Sequence, residues 1–134
     1  MSLRYLLDTN ICIFVMKGRG AALADRFDAE AERLCLSSVT LAELTYGVGK
    51  STARAQNAAA LQAFIARLAV LDFDAQAAAD YGDLRSALER QGRVIGPYDM
   101  MIAAHARIRG LVVVTNNRRE FDRIDGLLIE DWSA

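Results

Sequence analysis

The stretch Tyr5-Leu6-Leu7-Asp8-Thr9-Asn10-Ile11-Cys12-Ile13-Phe14 changes character at Asp8. Before it stand three apolar residues with no polar alternation, the mark of a strand buried on both faces. After it, Asp8, Thr9 and Asn10 are all side chains that cap a helix N-terminus, and an apolar helix follows from Ile11 to Met16. A strand covered on both faces that turns straight into a helix predicts the first unit of a covered parallel sheet.

The same pairing repeats along the chain. Leu34-Cys35-Leu36, Ala69-Val70-Leu71 and residues 111–114 read as further buried strands, and Leu127-Leu128-Ile129 as a candidate edge strand. Between them lie Ala-rich stretches with helical spacing, such as Leu61, Ile65 and Leu68, then Ala77, Tyr81, Leu84 and Leu88. The order β-α-β-α-α-β-α-α-β-α-β predicts a three-layer α/β/α domain over residues 1–134, with a central, mostly parallel sheet and right-handed crossovers. No Pro- or Ser-rich linker or repeat interrupts it.

A chain of 134 residues hides roughly two-thirds of its unfolded surface on folding and needs no staple. Cys12 and Cys35 sit in apolar stretches and read as buried, reduced thiols. The start Met1-Ser2-Leu3-Arg4 has no basic n-region leading into a long apolar run, and no apolar stretch approaches the ~18 residues of a membrane span. The expectation is a cytoplasmic protein with no membrane association.

The formal charge of −1 excludes a polycation. It is also a sum of opposed segments: residues 1–84 carry 8 basic and 10 acidic side chains, residues 85–119 carry 7 and 2, and residues 120–134 carry 1 and 5. The last segment reads as an acidic tail, from Asp122 to Asp131, that aids solubility.

Ligands of open α/β sheets bind beyond the carboxyl ends of the strands, near a switch in strand order. Asp8 directly follows the first strand, Glu43 comes after the second, Asp99 opens the helix at Gly96-Pro97-Tyr98-Asp99, and Thr115-Asn116-Asn117 closes the fourth strand with Glu120 three residues on. Each has a purely structural explanation as well. Asp8 can be an N-cap, Asp99 suits the positive end of a helix, and Thr40-Leu41-Ala42-Glu43 is written as a capping box.

Taken together, carboxylates gathered without Lys partners repel unless a divalent cation sits among them. Oxygen donors without His or Cys suit Mg²⁺ or Mn²⁺ better than Zn²⁺. His105, the only histidine, is off the face that carries Asp99, Ile102 and Ala106 and is expected on the helix surface. No Ser/His/Asp or Cys/His set is present, which leaves water activated by a cation as the nucleophile: nuclease chemistry in outline.

Four segments now stand in order: Leu6-Leu7-Asp8-Thr9-Asn10-Ile11; Ser38-Val39-Thr40-Leu41-Ala42-Glu43-Leu44, ending in Tyr46-Gly47-Val48; Pro97-Tyr98-Asp99-Met100-Met101-Ile102-Ala103-Ala104; and Thr115-Asn116-Asn117-Arg118-Arg119-Glu120-Phe121. In these motifs, over essentially its whole length, the chain resembles the PIN-domain ribonucleases and, among them, the VapC toxins of bacterial toxin–antitoxin modules. The resemblance implies an Mg²⁺-dependent endoribonuclease (Mn²⁺ being the other ion of that kind) whose metal is held by Asp8, Glu43 and Asp99. Many members carry a fourth acid where this chain has Asn117, and Glu120 is the nearest carboxylate able to substitute. Thr9, Asn10, Thr115, Asn116 and Asn117 would support the site through hydrogen bonds.

The resemblance further implies a homodimer, and a VapB-type antitoxin that covers the catalytic groove and alone contacts operator DNA. Structured RNA would be the substrate, tRNA near the anticodon or a ribosomal RNA loop, with inhibition of translation and growth as the result. RNA drawn to an acidic site needs flanking positive charge. Arg118 and Arg119, beside the presumed ligands, are the first candidates, followed by Lys17 and Arg19.

Other classes fit less well. A phospho-accepting signalling domain asks for paired acids after the first strand and a Lys after the last, and a haloacid-dehalogenase-like phosphatase asks for a second Asp at position 10, which is Asn. The remaining alternative is a non-catalytic RNA- or antitoxin-binding protein with a degenerate metal site, which Asn117 keeps open.

Overall fold

The computed structural model describes residues 2–133; Met1 and Ala134, where the expected single domain begins and ends, lie outside the described residues. Five strands, β1 (Tyr5–Leu7), β2 (Leu34–Ser37), β3 (Ala69–Leu71), β4 (Val112–Val114) and β5 (Leu128–Glu130), form one sheet in the order β3-β2-β1-β4-β5. Every pairing is parallel, so the sheet expected to be mostly parallel is wholly so. The strand expected at Leu127-Leu128-Ile129 is the β5 edge, displaced by one residue.

Strand alternation divides the core in two. Tyr5, Leu7, Leu34, Leu36, Val112 and Val114 face one side, where α1 (Thr9–Met16), α2 (Ala21–Ala29) and α4 (Arg54–Ile65) bring Ile11, Phe27 and Phe64. Leu6, Cys35 and Val113 face the other, under α5 (Ala75–Arg90), α6 (Pro97–Arg109) and α7 (Arg118–Phe121), with Leu84, Ile102 and Phe121. Both cysteines are buried and free. The helix α3 (Ser38–Gly49) runs directly out of β2 and packs against α1 and α4.

Three expectations require correction. Two helices, not one, join β1 to β2: Gly18 and Gly20 take φ of 66° and 81°, the left-handed region that suits glycine, and the break lets α2 start afresh with Leu23 and Phe27 on its buried face. The acidic C-terminal segment is not a free tail. Its Glu130 accepts hydrogen bonds from Arg26 (3.1 Å) and from Trp132 Nε1 (2.9 Å), and Trp132 is buried edge-on against Tyr5.

His105, expected on a helix surface, is completely buried. The run Ile102-Ala103-Ala104-His105-Ala106 is buried on every side, because α6 is pressed between the sheet and α5. Its Nδ1 makes a 2.8 Å hydrogen bond with Ser37 Oγ, while Nε2 has no partner among the described residues. Burial, and next the charge of Arg109, hold His105 below its usual pKa, so it is a neutral packing residue at pH 7.

Candidate active site at the carboxyl edge of the sheet

The chain runs outward from β1 through β2 to β3 and then returns to β4 on the opposite side of β1. The gap between the carboxyl ends of β1 and β4 is therefore the switch point at which this sheet can hold a ligand. Asp8 stands there. Its backbone N–H donates to Val114 O (3.0 Å), and its Oδ1 accepts from Ile11 N (2.8 Å) as the N-cap of α1. Capping uses one hydrogen-bonding direction of one carboxylate oxygen, so the structural role does not exclude a functional one.

Asp8 is only 2% exposed. Burial raises its pKa to about 6, against the pull of hydrogen bonds from Thr115 and Ile11 N–H, and the charges of Glu43 and Asp131 push it further up. Thr115, itself fully buried, also accepts from Asn117 N at 2.8 Å. It thus ties the end of β4 to Asp8 on one side and to the start of α7 on the other.

Glu43 reaches the site from the second turn of α3. The capping box expected at Thr40-Leu41-Ala42-Glu43 does not form, because the helix starts earlier: Ser37 is the N-cap and accepts from Val39 N at 3.1 Å. Thr40 is buried inside the helix. The Glu43 carboxylate, free of any capping duty, accepts a 2.6 Å hydrogen bond from Thr9 Oγ1. Thr9 also lies 3.3 Å from Thr40 Oγ1, so this threonine links the first turn of α1 to α3.

Asp99 lies in the first turn of α6, where Gly96 is the N-cap and Pro97 the first residue. Its pKa is also raised to about 6, first by burial and then by Asp8, Glu120 and Glu43 in turn, with a proton-requiring hydrogen bond to Glu120 adding to the effect. Carboxylates from four elements therefore feel one another at one edge of the sheet. The acid that meets Asp99 from the fourth motif is Glu120, whereas Asn117 contributes its backbone N–H to Thr115 and its side chain does not cap α7.

Among the described residues, no three or more carboxylate, His or Cys side chains close into a ready-made metal cage. Glu43 is engaged by Thr9 and Asp8 by its cap. The donor chemistry still fits a hard divalent cation: all the donors are oxygens, and two of the acids carry pKa values that opposing positive charge would bring down.

The basic candidates separate. Arg118 and Arg119 are exposed on α7 beside Glu120, although Arg118 lies 3.6 Å from Asp122. Lys17 caps the far end of α1, about 13 Å along the helix from Asp8 at 1.5 Å per residue, and Arg19 lies past that end and packs over the Phe14 ring. Arg107 is structural, with two nitrogens on Asp80 and one on Asp125 O. Asn10 is exposed and, with Thr9 and Glu43, lines a groove beside the carboxylates that also holds Tyr46, Lys50 and Tyr98. Those three were not singled out in the sequence; the available signal was an exposed aromatic next to two of the predicted ligands.

Fold and site together define a class: a parallel α/β sheet with an acidic site at its switch point. The PIN domain model matches residues 5–127, and the chain belongs to the PIN-domain family, within its VapC branch. It is 53% identical over 131 residues, 98% of this chain and 99% of the other, to the tRNA(fMet)-specific endonuclease VapC of Shigella flexneri. It is 45% identical over 97% of its length to ribonuclease VapC2 of Haemophilus influenzae, covering 98% of that chain. Among solved structures, DNA-bound VapBC from Salmonella typhimurium matches with a TM-score of 0.94 and 54% identity, over 97% of this chain and 98% of that one.

Proposed function

We propose that this protein is a divalent-metal-dependent endoribonuclease, the toxin of a toxin–antitoxin pair, and that it cuts tRNA. The observation that carries this reading is the convergence of Asp8, Glu43, Asp99 and Glu120, from four separate motifs, on one edge of the sheet. Its likeness over nearly the whole chain to a tRNA(fMet)-specific endonuclease supports tRNA, and initiator tRNA first, over a ribosomal RNA loop. Likeness to VapBC complexes, one of them bound to DNA, supports a VapB-type antitoxin as partner, with operator DNA reached through that antitoxin. A homodimer, a single PIN unit over residues 1–134 and action in the cytoplasm belong to the same reading. Among the described residues no helix is long and apolar enough to cross a membrane.

In this reading Asp8, Glu43 and Asp99 hold Mg²⁺, or Mn²⁺ in its place, with Glu120 as the fourth carboxylate. The bound ion supplies water activation and neutralises the charge that develops on the phosphodiester. Thr115 fixes the Asp8 carboxylate and Thr9 fixes that of Glu43, so the donors are positioned before substrate arrives. Arg118 and Arg119, exposed beside Glu120, would meet phosphates flanking the cut, and contacts of that kind position RNA without reading its sequence.

The test is cleavage of a tRNA panel by the purified protein, with the cut sites located by sequencing RNA ends. Wild type is expected to make one defined cut with Mg²⁺ or Mn²⁺ and none with chelator. Asp8→Asn and Glu43→Gln should fold normally, since Asn still caps α1 and Gln still accepts from Thr9, yet lose activity by roughly 100-fold or more, the scale of loss for removing one transition-state electrostatic contact. Glu120→Gln should weaken both metal binding and cleavage. Intact, folded wild type that cuts no RNA with either metal would leave the non-catalytic reading in its place.

A further inference from the structure

Tyr46 and Tyr98 are 69% and 55% exposed, a large aromatic surface to leave in water. Both line a single groove of about 620 Å³ that reaches the site at Glu43 and shares Thr9 and Asn10 with it. The sequence explains the placement. Tyr46 is three residues after Glu43 on α3 and so shares its face, and Tyr98 immediately precedes Asp99 at the start of α6. Each tyrosine is thus anchored to an element that also delivers a carboxylate. The Lys50 ammonium lies over the Tyr46 ring, 5.2 Å from its centroid, and is the one cation lining this groove among the described residues.

An acidic centre repels phosphates, so RNA must be held beside it by contacts that are not phosphate-to-metal alone. Paired aromatic rings next to a cation are how proteins hold single-stranded nucleic acid, the rings stacking on bases and the cation following the backbone. A volume of this size is within the range of sites that take a nucleotide-sized ligand. We infer that Tyr46 and Tyr98 form a base-stacking subsite that holds an unpaired nucleobase of the substrate next to the scissile phosphate, with Lys50 on the adjoining backbone. This inference rests on the ribonuclease reading. It adds that the nucleotide at this subsite is unpaired, because a base inside a duplex cannot present its face to either ring.

The experiment measures binding of a short single-stranded oligoribonucleotide, and of the same sequence in a duplex, to the full-length Asp8→Asn protein by fluorescence anisotropy, with wild type in chelator as a second, uncut background. The expected results are tighter binding of the single strand, a loss of roughly 5- to 100-fold for Tyr46→Ala and for Tyr98→Ala, and retention within about twofold for each Tyr→Phe, since stacking needs the ring and not the hydroxyl. In the active protein the Ala variants should raise KM more than they lower kcat. The stacking subsite is overturned if the Ala variants bind single strand as well as their parent, if duplex binds equally well, or if the affinity falls only together with a shift in sedimentation, which would make the tyrosines part of a protein–protein contact. Failure of wild type to cleave with metal while the aromatic dependence of binding persists would instead remove the ribonuclease reading.

Discussion

Asp8 does two jobs that pull its chemistry in opposite directions. As the cap of α1 it must accept from Ile11 N–H, and as a site carboxylate it must stand almost fully buried among other acids. The folded state raises its pKa from 3.8 to about 6, so the folded protein binds this proton more tightly than the unfolded chain. The resulting destabilisation is fully present above pH 6 and is relieved as pH falls from 6 towards 4. Asp8→Asn keeps the cap and removes the buried charge. Without metal it should therefore be more stable than wild type at pH 7.5, on the order of 1–3 kcal/mol, with the difference shrinking by pH 5; equal melting temperatures at both pH values would contradict this. Cleavage at limiting metal should follow the opposite trend, rising with pH because the cation must displace the protons of Asp8 and Asp99, and saturating metal should move that rise to lower pH.

The elements that hold these residues are secured away from the site. Arg107, near the end of α6, makes a two-pronged ion pair with Asp80 on α5, with the side chains 25% and 17% exposed, and it also donates to Asp125 O. Partly buried, bidentate geometry makes this worth more than the exposed pairs such as Arg67 with Asp28. Arg107→Ala should cost about 1–3 kcal/mol in chemical denaturation, while Arg67→Ala should cost under about 1 kcal/mol. Most elements were legible because their signals are local: Tyr5-Leu6-Leu7 and Ala69-Val70-Leu71 are the observed strands residue for residue. The start of α3 was not. Ser37 and Thr40 are both good caps, and the choice between them is made by strand β2 extending to Ser37 and by His105 reaching it from α6. The burial of His105 was equally hidden, since a helix pressed between a sheet and another helix loses the one-sided pattern that marks a surface position.

At the scale of the whole molecule, the net charge of −1 resolves into an acidic edge and basic residues of which several are paired with acids of their own. Of the seven arginines in residues 85–119, Arg85 pairs with Glu89, Arg107 with Asp80 and Arg118 with Asp122. Charge segmentation along the sequence therefore overstated the basic face, because helix partners are set by spacing and packing rather than by chain order. The acidic edge was legible as a set of strand-end carboxylates; its inner bonds, Thr9 to Glu43 and Thr115 to Asp8, needed three dimensions. If these carboxylates bind a divalent ion, Mg²⁺ should raise the melting temperature of wild type at pH 7.5 by mass action and leave that of Asp99→Asn nearly unchanged, a comparison independent of any RNA. The place of β1 has a further consequence. It lies in the middle of the sheet, and one of its neighbours, β4, comes in the chain only after β2 and β3. The chain must be extended through β4 before β1 is paired on both sides and before Asp8 can find Val114 O and Thr115. Closure of this edge is therefore a long-range event, set by the pairing of Leu7 with Val114, and it limits how early in folding Asp8 can take its place.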